Sequence, residues 1–207
     1  MKRFIYAVFT VALGAGLFMA PAPAAAQIKD PEVKKAEAYL QGLTTAQAEF
    51  IQTSTLGARL SGTFYLNRPG RMRFDYNEVE DFIVADGYFV YFYDSQIGSQ
   101  SNAPIGQTLA DFLLRKDLRL DGDLRVVKLF KKNGYISLTI VQEDNPSAGE
   151  VELIFSEVPY QLNRWRVRDA QGETTEVVLK NFRTGMKFKD PKLFGYHDPK
   201  GRQQFNN

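Results

Sequence analysis

The residues from Leu60 to Tyr76 constrain the fold more than any other segment. Leu60, Gly62, Phe64 and Leu66 alternate with Arg59, Ser61, Thr63, Tyr65 and Asn67. This is the period-two pattern of a strand with one apolar and one polar face. Pro69-Gly70 interrupts the chain, and Met72, Phe74 and Tyr76 resume the apolar row with Arg71, Arg73 and Asp75 opposite. The alternation also puts Arg68 in phase with Phe64 and Leu66. A guanidinium stays charged at any working pH, and laying it along an apolar surface is costly unless partners meet it. The pattern predicts an oily sheet face with one polar clasp at its rim, the outline of a container for an apolar ligand.

Most of the remaining chain also reads as strand. Ala46, Ala48 and Phe50 alternate ahead of the segment above. Phe82–Ala85 and Tyr88–Tyr93 flank Asp86-Gly87, and Leu124–Phe130 and Tyr135–Val141 flank Asn133-Gly134, two strong hairpin signals. Val151, Leu153 and Phe155 alternate, and Trp165 and Val167 lie between Arg164, Arg166 and Arg168, before a turn at Gln171-Gly172 and a strand over Thr174–Phe182. Two helices are expected. Asp30-Pro31 opens one whose stripe is Val33, Ala36, Leu40 and Leu43, ending near Gly42. Thr108 caps a short one over Leu109–Leu114. Between the strands, residues 95–106 read as a polar loop, and the tail after Gly185 reads as loosely packed. About ten strands in meander order predict one large antiparallel sheet. A closed barrel, a sandwich and a curved incomplete barrel covered by the helices all satisfy that pattern.

Residues 1–26 are expected to be a cleaved secretory signal. Lys2 and Arg3 precede an apolar run of 16 residues from Phe4 to Met19, and Ala24-Ala25-Ala26 leaves Gln27 as the new terminus. No later segment approaches ~18 consecutive apolar residues. With no cysteine anywhere, disulfides, thiol chemistry and a lipid-anchored cysteine are excluded. A single soluble domain over 27–207, exported across the membrane, is the expectation. Removing Lys2 and Arg3 takes the 26 basic residues to 24 against 24 acidic. That neutrality argues against nucleic acid or an anionic membrane surface as the main partner.

Catalytic readings fare poorly. His197, the single histidine, sits in the polar tail. Ser99 and Ser101 have no partner histidine, and no G-x-S-x-G elbow exists. Asp117, Asp121 and Asp123 fail the calcium-loop register, and no glutamate closes it. Arg164, Arg166 and Arg168 are explained as the outer face of a strand. No enzyme activity, metal or cofactor is expected.

The runs SGTFYLNRPGRMRFDY, IVADGYFVYFYD, TLADFLL and NRWRVRDAQGETTEVVLKNF together resemble the outer-membrane lipoprotein carrier family, LolA. The resemblance implies an unclosed antiparallel β-barrel with a helical lid over a hydrophobic cavity. It also implies a periplasmic, non-enzymatic carrier, a monomer in our expectation. Such a carrier takes acylated lipoproteins from an inner-membrane ABC lipoprotein-releasing complex and passes them to an outer-membrane acceptor. The arginine of the family's R-P motif falls on Arg68, which in relatives bonds the lid; here its donors are expected to meet residues 99–108. Met72 stands where many relatives carry an aromatic. Phe50, Phe64, Leu66, Met72 and Phe74 are the expected acyl-binding wall, with Leu109, Phe112 and Leu113 facing them from the lid. The alternative is a lipid- or lipoprotein-sensing periplasmic module on a related half-barrel.

Overall fold

The computed structural model describes residues 29–197; the expected signal at 1–26 lies outside them. Helix α1 (Pro31–Gly42) starts where Asp30 caps it, its Oδ1 accepting from the Glu32 amide at 2.8 Å. The predicted stripe is the buried one, with Val33, Ala36, Leu40 and Leu43 all inside. Six strands follow: β1 (Thr45–Ser54), β2 (Arg59–Asn67), β3 (Arg71–Tyr76), β4 (Phe82–Asp86), β5 (Phe89–Asp94) and β6 (Ser99–Pro104). A one-turn helix, α2 (Asp111–Leu114), precedes β7 (Leu124–Lys132), β8 (Tyr135–Gln142), β9 (Gly149–Glu157), β10 (Tyr160–Asp169) and β11 (Thr174–Thr184).

All of these strands join one antiparallel sheet in the order β6-β5-β4-β3-β2-β1-β11-β10-β9-β8-β7. Two meanders meet where β1 pairs with β11, and β6 and β7 are left as free edges, so the barrel is not closed. Inward residues of every strand except β6 join the helices in one apolar cluster, which requires the sheet to curl around it. The connection from β6 to β7 must travel from one edge of the sheet to the other. It carries α2, and this places α2 across the inner face.

The turns follow their chemistry. Asn133 and Gly134, both at positive φ (53° and 75°), make the two-residue turn between β7 and β8. At Asp86-Gly87 the Asp86 carboxylate accepts from the Tyr88 and Phe89 amides at 2.9 and 3.0 Å. Gly62 on β2 faces inward where Phe50 and the Asp75 carbonyl leave no room for a Cβ.

Four expectations need correction. The polar loop at 95–106 contains β6, paired with β5 from Phe89↔Pro104 to Asp94↔Ser99. An edge strand gains its ladder bonds from one neighbour and needs little apolar surface of its own. Thr108 does not cap α2. Its hydroxyl donates to the Ile105 carbonyl at 2.9 Å, ending a 3-10 turn at Ile105–Gln107, and α2 begins at Asp111. Of the tail expected to pack loosely, residues 186–197 return over the outer face, and 198–207 lie outside the described residues. Phe188 packs on Tyr65 at 6.1 Å, Tyr196 stacks on Tyr91 at 4.6 Å, and Arg73 reaches the Leu193 carbonyl at 3.4 Å. Finally, the sheet has eleven strands rather than about ten.

Candidate functional site

The inner wall is built from strand positions that alternate inward. Phe50 on β1, Phe64 and Leu66 on β2, and Met72 and Phe74 on β3 are all buried to within 1% of full enclosure. Their rings interlock: Phe50 meets Phe74 edge to face at 5.1 Å, and Phe64 lies tilted against Phe74 at 4.8 Å. Leu109, Phe112 and Leu113, carried by the crossing segment, belong to the same cluster. The structure thus gathers every one of the eight wall and lid residues expected from the sequence into one apolar assembly.

Trp165 is the residue that sequence reasoning missed. It projects inward from β10, is 2% exposed, and stands 5.7 Å from Phe64, 6.3 Å from Phe74 and 6.1 Å from Phe112. It is therefore the floor on which the α2 side chains rest. The signal was present: the flanking arginines face outward, where Arg166 pairs with Glu152 at 2.9 Å and Glu176 at 2.7 Å, so Trp165 had to face in.

Arg68 leaves the apolar row and turns its guanidinium onto the two helices. Nη1 donates to the Leu40 carbonyl and, at 3.5 Å, to that of Leu43; Nη2 donates to the Arg115 carbonyl at 2.6 Å. Those acceptors lie at or just past the C-terminal ends of α1 and α2, where the last carbonyls point out of the helix; that of Leu40 also accepts the Leu43 amide at 3.3 Å. This corrects the expected partners at 99–108: the carbonyls that meet Arg68 are at the helix ends, not in β6. Burial pulls the Arg68 pKa down, with no carboxylate contributing an opposing effect. Main-chain bonds strengthen the clamp, the Arg68 amide donating to Thr44 at 2.7 Å and that of Gly70 to Leu114 at 2.8 Å. Helix α1 is also tied to the segment that follows α2. Gln41 Nε2 donates to the Leu118 carbonyl at 2.8 Å, and the Leu120 amide to Glu37 at 2.7 Å.

The cover is closed. The slit between α2 and the β7–β9 wall, bounded by Phe112, Leu124, Ile140 and Val151, holds about 10 Å³, roughly the space of one water. A recess of about 490 Å³ lies outside it, between Leu109, Arg115 and residues 142–148. Any large apolar guest must displace Leu109, Phe112 and Leu113 from the interior. Among the described residues no group of His, Asp or Glu side chains has the arrangement of a metal site.

Residues 41–197 match the family model described as outer membrane lipoprotein carrier protein LolA. The chain belongs to the LolA family. An outer-membrane lipoprotein carrier protein of Methylococcus capsulatus is 27% identical over 192 residues, spanning 88% of this chain and 91% of that protein. One of Ralstonia nicotianae is 26% identical over 191 residues, covering 82% and 84%. A solved LolA superfamily protein of Nitrosomonas europaea aligns over 82% of this chain and 98% of its own, at 11% identity and a TM-score of 0.46. Among the described residues no helix is long and apolar enough to cross a membrane.

Proposed function

We propose that this LolA-family chain is a periplasmic, non-enzymatic carrier that encloses the acyl chains of lipoproteins beneath its helical cover. Residues 1–26 are its export signal, and 27–207 form the carrier domain. Phe50, Phe64, Leu66, Met72, Phe74 and Trp165 supply the wall, and Leu109, Phe112 and Leu113 the displaceable lid. The cargo is collected from an inner-membrane ABC releasing complex and given up to an outer-membrane acceptor, with the carrier acting as a monomer. The observation that carries this reading is an apolar interior whose cover is held at its rim by the Arg68 guanidinium and a few hydrogen bonds, with no carboxylate paired to that arginine.

The magnitudes make such an exchange reversible. A chain of about fifteen methylenes gains on the order of ten kcal/mol on leaving water, at ~0.8 kcal/mol each. The three lid side chains it displaces give back about 1.5–3 kcal/mol apiece when they lose their burial, roughly 5–9 kcal/mol together. The lid's cost is met once however many chains enter, and hand-over to a bilayer keeps the acyl chains out of water, so release returns the lid's roughly 5–9 kcal/mol without exposing the cargo.

The test is release of a labelled lipoprotein from inner-membrane vesicles bearing the ABC complex and ATP. The carrier should bring the label into solution as a one-to-one complex, and Trp165 emission should change as Phe112 leaves its face. Label that stays in the membrane at saturating carrier would overturn the proposal.

A further inference from the structure

Of the seven large hydrophobic side chains exposed among the described residues, Tyr88, Phe89, Phe130, Tyr135 and Val158 gather at one end of the sheet, and Leu56 and Ile97 lie at the other. Pairing registers place the β2–β3, β4–β5, β7–β8 and β9–β10 turns at one end of the sheet, the end that also holds Arg68 and the start of β1. On the β7–β8 hairpin, Phe130 is 63% exposed and Tyr135 39%, and in the neighbouring β9–β10 turn Val158 is 92% exposed. The two turns touch: Tyr135 pairs with Ser156, and the Glu157 amide donates to the Gly134 carbonyl at 2.9 Å. Phe130 and Tyr135 share the outer face, because Phe130 pairs with Ser137 and Lys132 with Tyr135.

The charge along the hairpin itself has one sign, with Glu157 of the neighbouring turn the acidic group beside it. Residues 124–142 contain Arg125, Lys128, Lys131 and Lys132 and no acidic residue. Lys128 and Lys131 reach Glu150 and Glu32 at 3.2 and 2.8 Å, whereas Lys132, at the tip, makes no ion pair among the described residues. Arg164 lies over the Tyr135 ring at 5.6 Å. Residues 27–207 as a whole carry 24 basic and 24 acidic side chains; the hairpin's own residues are basic only.

We infer that the tip formed by Phe130, Lys132, Tyr135 and Val158 is a docking point for the surface of an anionic bilayer. The chemistry is that of an interfacial anchor: an aromatic pair and an aliphatic side chain enter the headgroup boundary while the lysine stays with the phosphates. Two adjacent tight turns are too small for a stable protein interface, which takes about 800 Å² from each partner. A bilayer needs only shallow insertion of a few side chains. Docking there presents the clamped end of the cover to the membrane. The inference does not depend on the carrier reading, since an empty protein has the same tip.

The experiment is flotation of the empty chain lacking residues 1–26 with vesicles of phosphatidylethanolamine and phosphatidylglycerol, and with vesicles of phosphatidylcholine. The wild type should float with the anionic vesicles and release as salt rises. The triple variant Phe130→Ser, Tyr135→Ser, Val158→Ser should bind at least tenfold more weakly with unchanged thermal unfolding. Lys132→Glu should weaken binding and flatten its salt dependence. Leu56→Ser with Ile97→Ser, exposed apolar positions in the β1–β2 and β5–β6 turns at the other end, should bind like the wild type. The inference fails if the wild type floats with neither vesicle, if the triple variant floats like the wild type, or if the other-end variant loses as much. A tip defect seen only with membrane proteins present, without binding to pure lipid, assigns the tip to a protein partner and overturns it equally.

Discussion

Arg68→Leu is expected to hold its cargo about ten- to a hundredfold more tightly than the wild type and to hand it over correspondingly slowly, with little loss of stability. The sign follows from where the bonds are made. Arg68 bonds Leu40, Leu43 and Arg115 while the cover is closed and empty. In the proposed carrier loading moves the cover away, so there those bonds oppose loading and favour release. A hydrogen bond from a charged donor is worth about 1.5–3 kcal/mol, so the net loss of one such bond gives the stated range. Folding survives because leucine suits an apolar wall and the Arg68 and Gly70 amides keep their bonds to Thr44 and Leu114. Arg68→Lys should fall between the two, since a point charge cannot reach both helix ends at once. The readout is transfer of a labelled lipoprotein to outer-membrane vesicles, with urea unfolding in parallel. Equal transfer rates for all three proteins would show that Arg68 does not govern the cover.

Trp165→Ala should produce the largest loss of stability of any single substitution considered. Its ring meets two wall phenylalanines and the lid's Phe112, and the cover is shut down on it. Truncating a buried Trp to Ala leaves a cavity the neighbours cannot refill and costs about 3–5 kcal/mol. For a domain of this size that lowers the melting temperature by roughly 6–20 °C. Trp165→Phe keeps an apolar ring on the floor and should lose much less. Unfolding is followed by far-ultraviolet circular dichroism, because the substitution removes the only tryptophan. A Trp165→Ala protein as stable as the wild type would mean that the floor and lid are not packed together.

What could be read in the sequence was what local periodicity encodes. The inward row from Leu60 to Tyr76, the α1 stripe and the turns at Asp86-Gly87 and Asn133-Gly134 each depend on residues within a few positions, and each is found where the pattern puts it. Strand β6 was illegible because Ser99–Pro104 has scarcely any apolar alternation and is held by backbone bonds to β5. The β1–β11 junction joins the two ends of the domain, a pairing no local pattern reports. Arg68 was visible as an anomaly, but its partners were not, because main-chain carbonyls carry no side-chain signature. Trp165 was hidden by the arginines beside it, which drew attention to the outer face. The tail after Gly185 reads as polar, and its packing rests on Phe188, Phe194 and Tyr196 set singly among charges.

The central claim, that acyl chains occupy the space now filled by the lid, is tested most directly by photo-crosslinking from both faces of the same strands. A photoreactive residue is placed in turn at Phe64, Phe74 and Phe112, and at Thr63 and Arg73 on the outward positions of β2 and β3, and each carrier is loaded with lipoprotein. Phe64, Phe74 and Phe112 should capture the acyl portion, and Thr63 and Arg73 should capture none. Equal capture from the two faces, or capture from the outer face alone, would contradict the account.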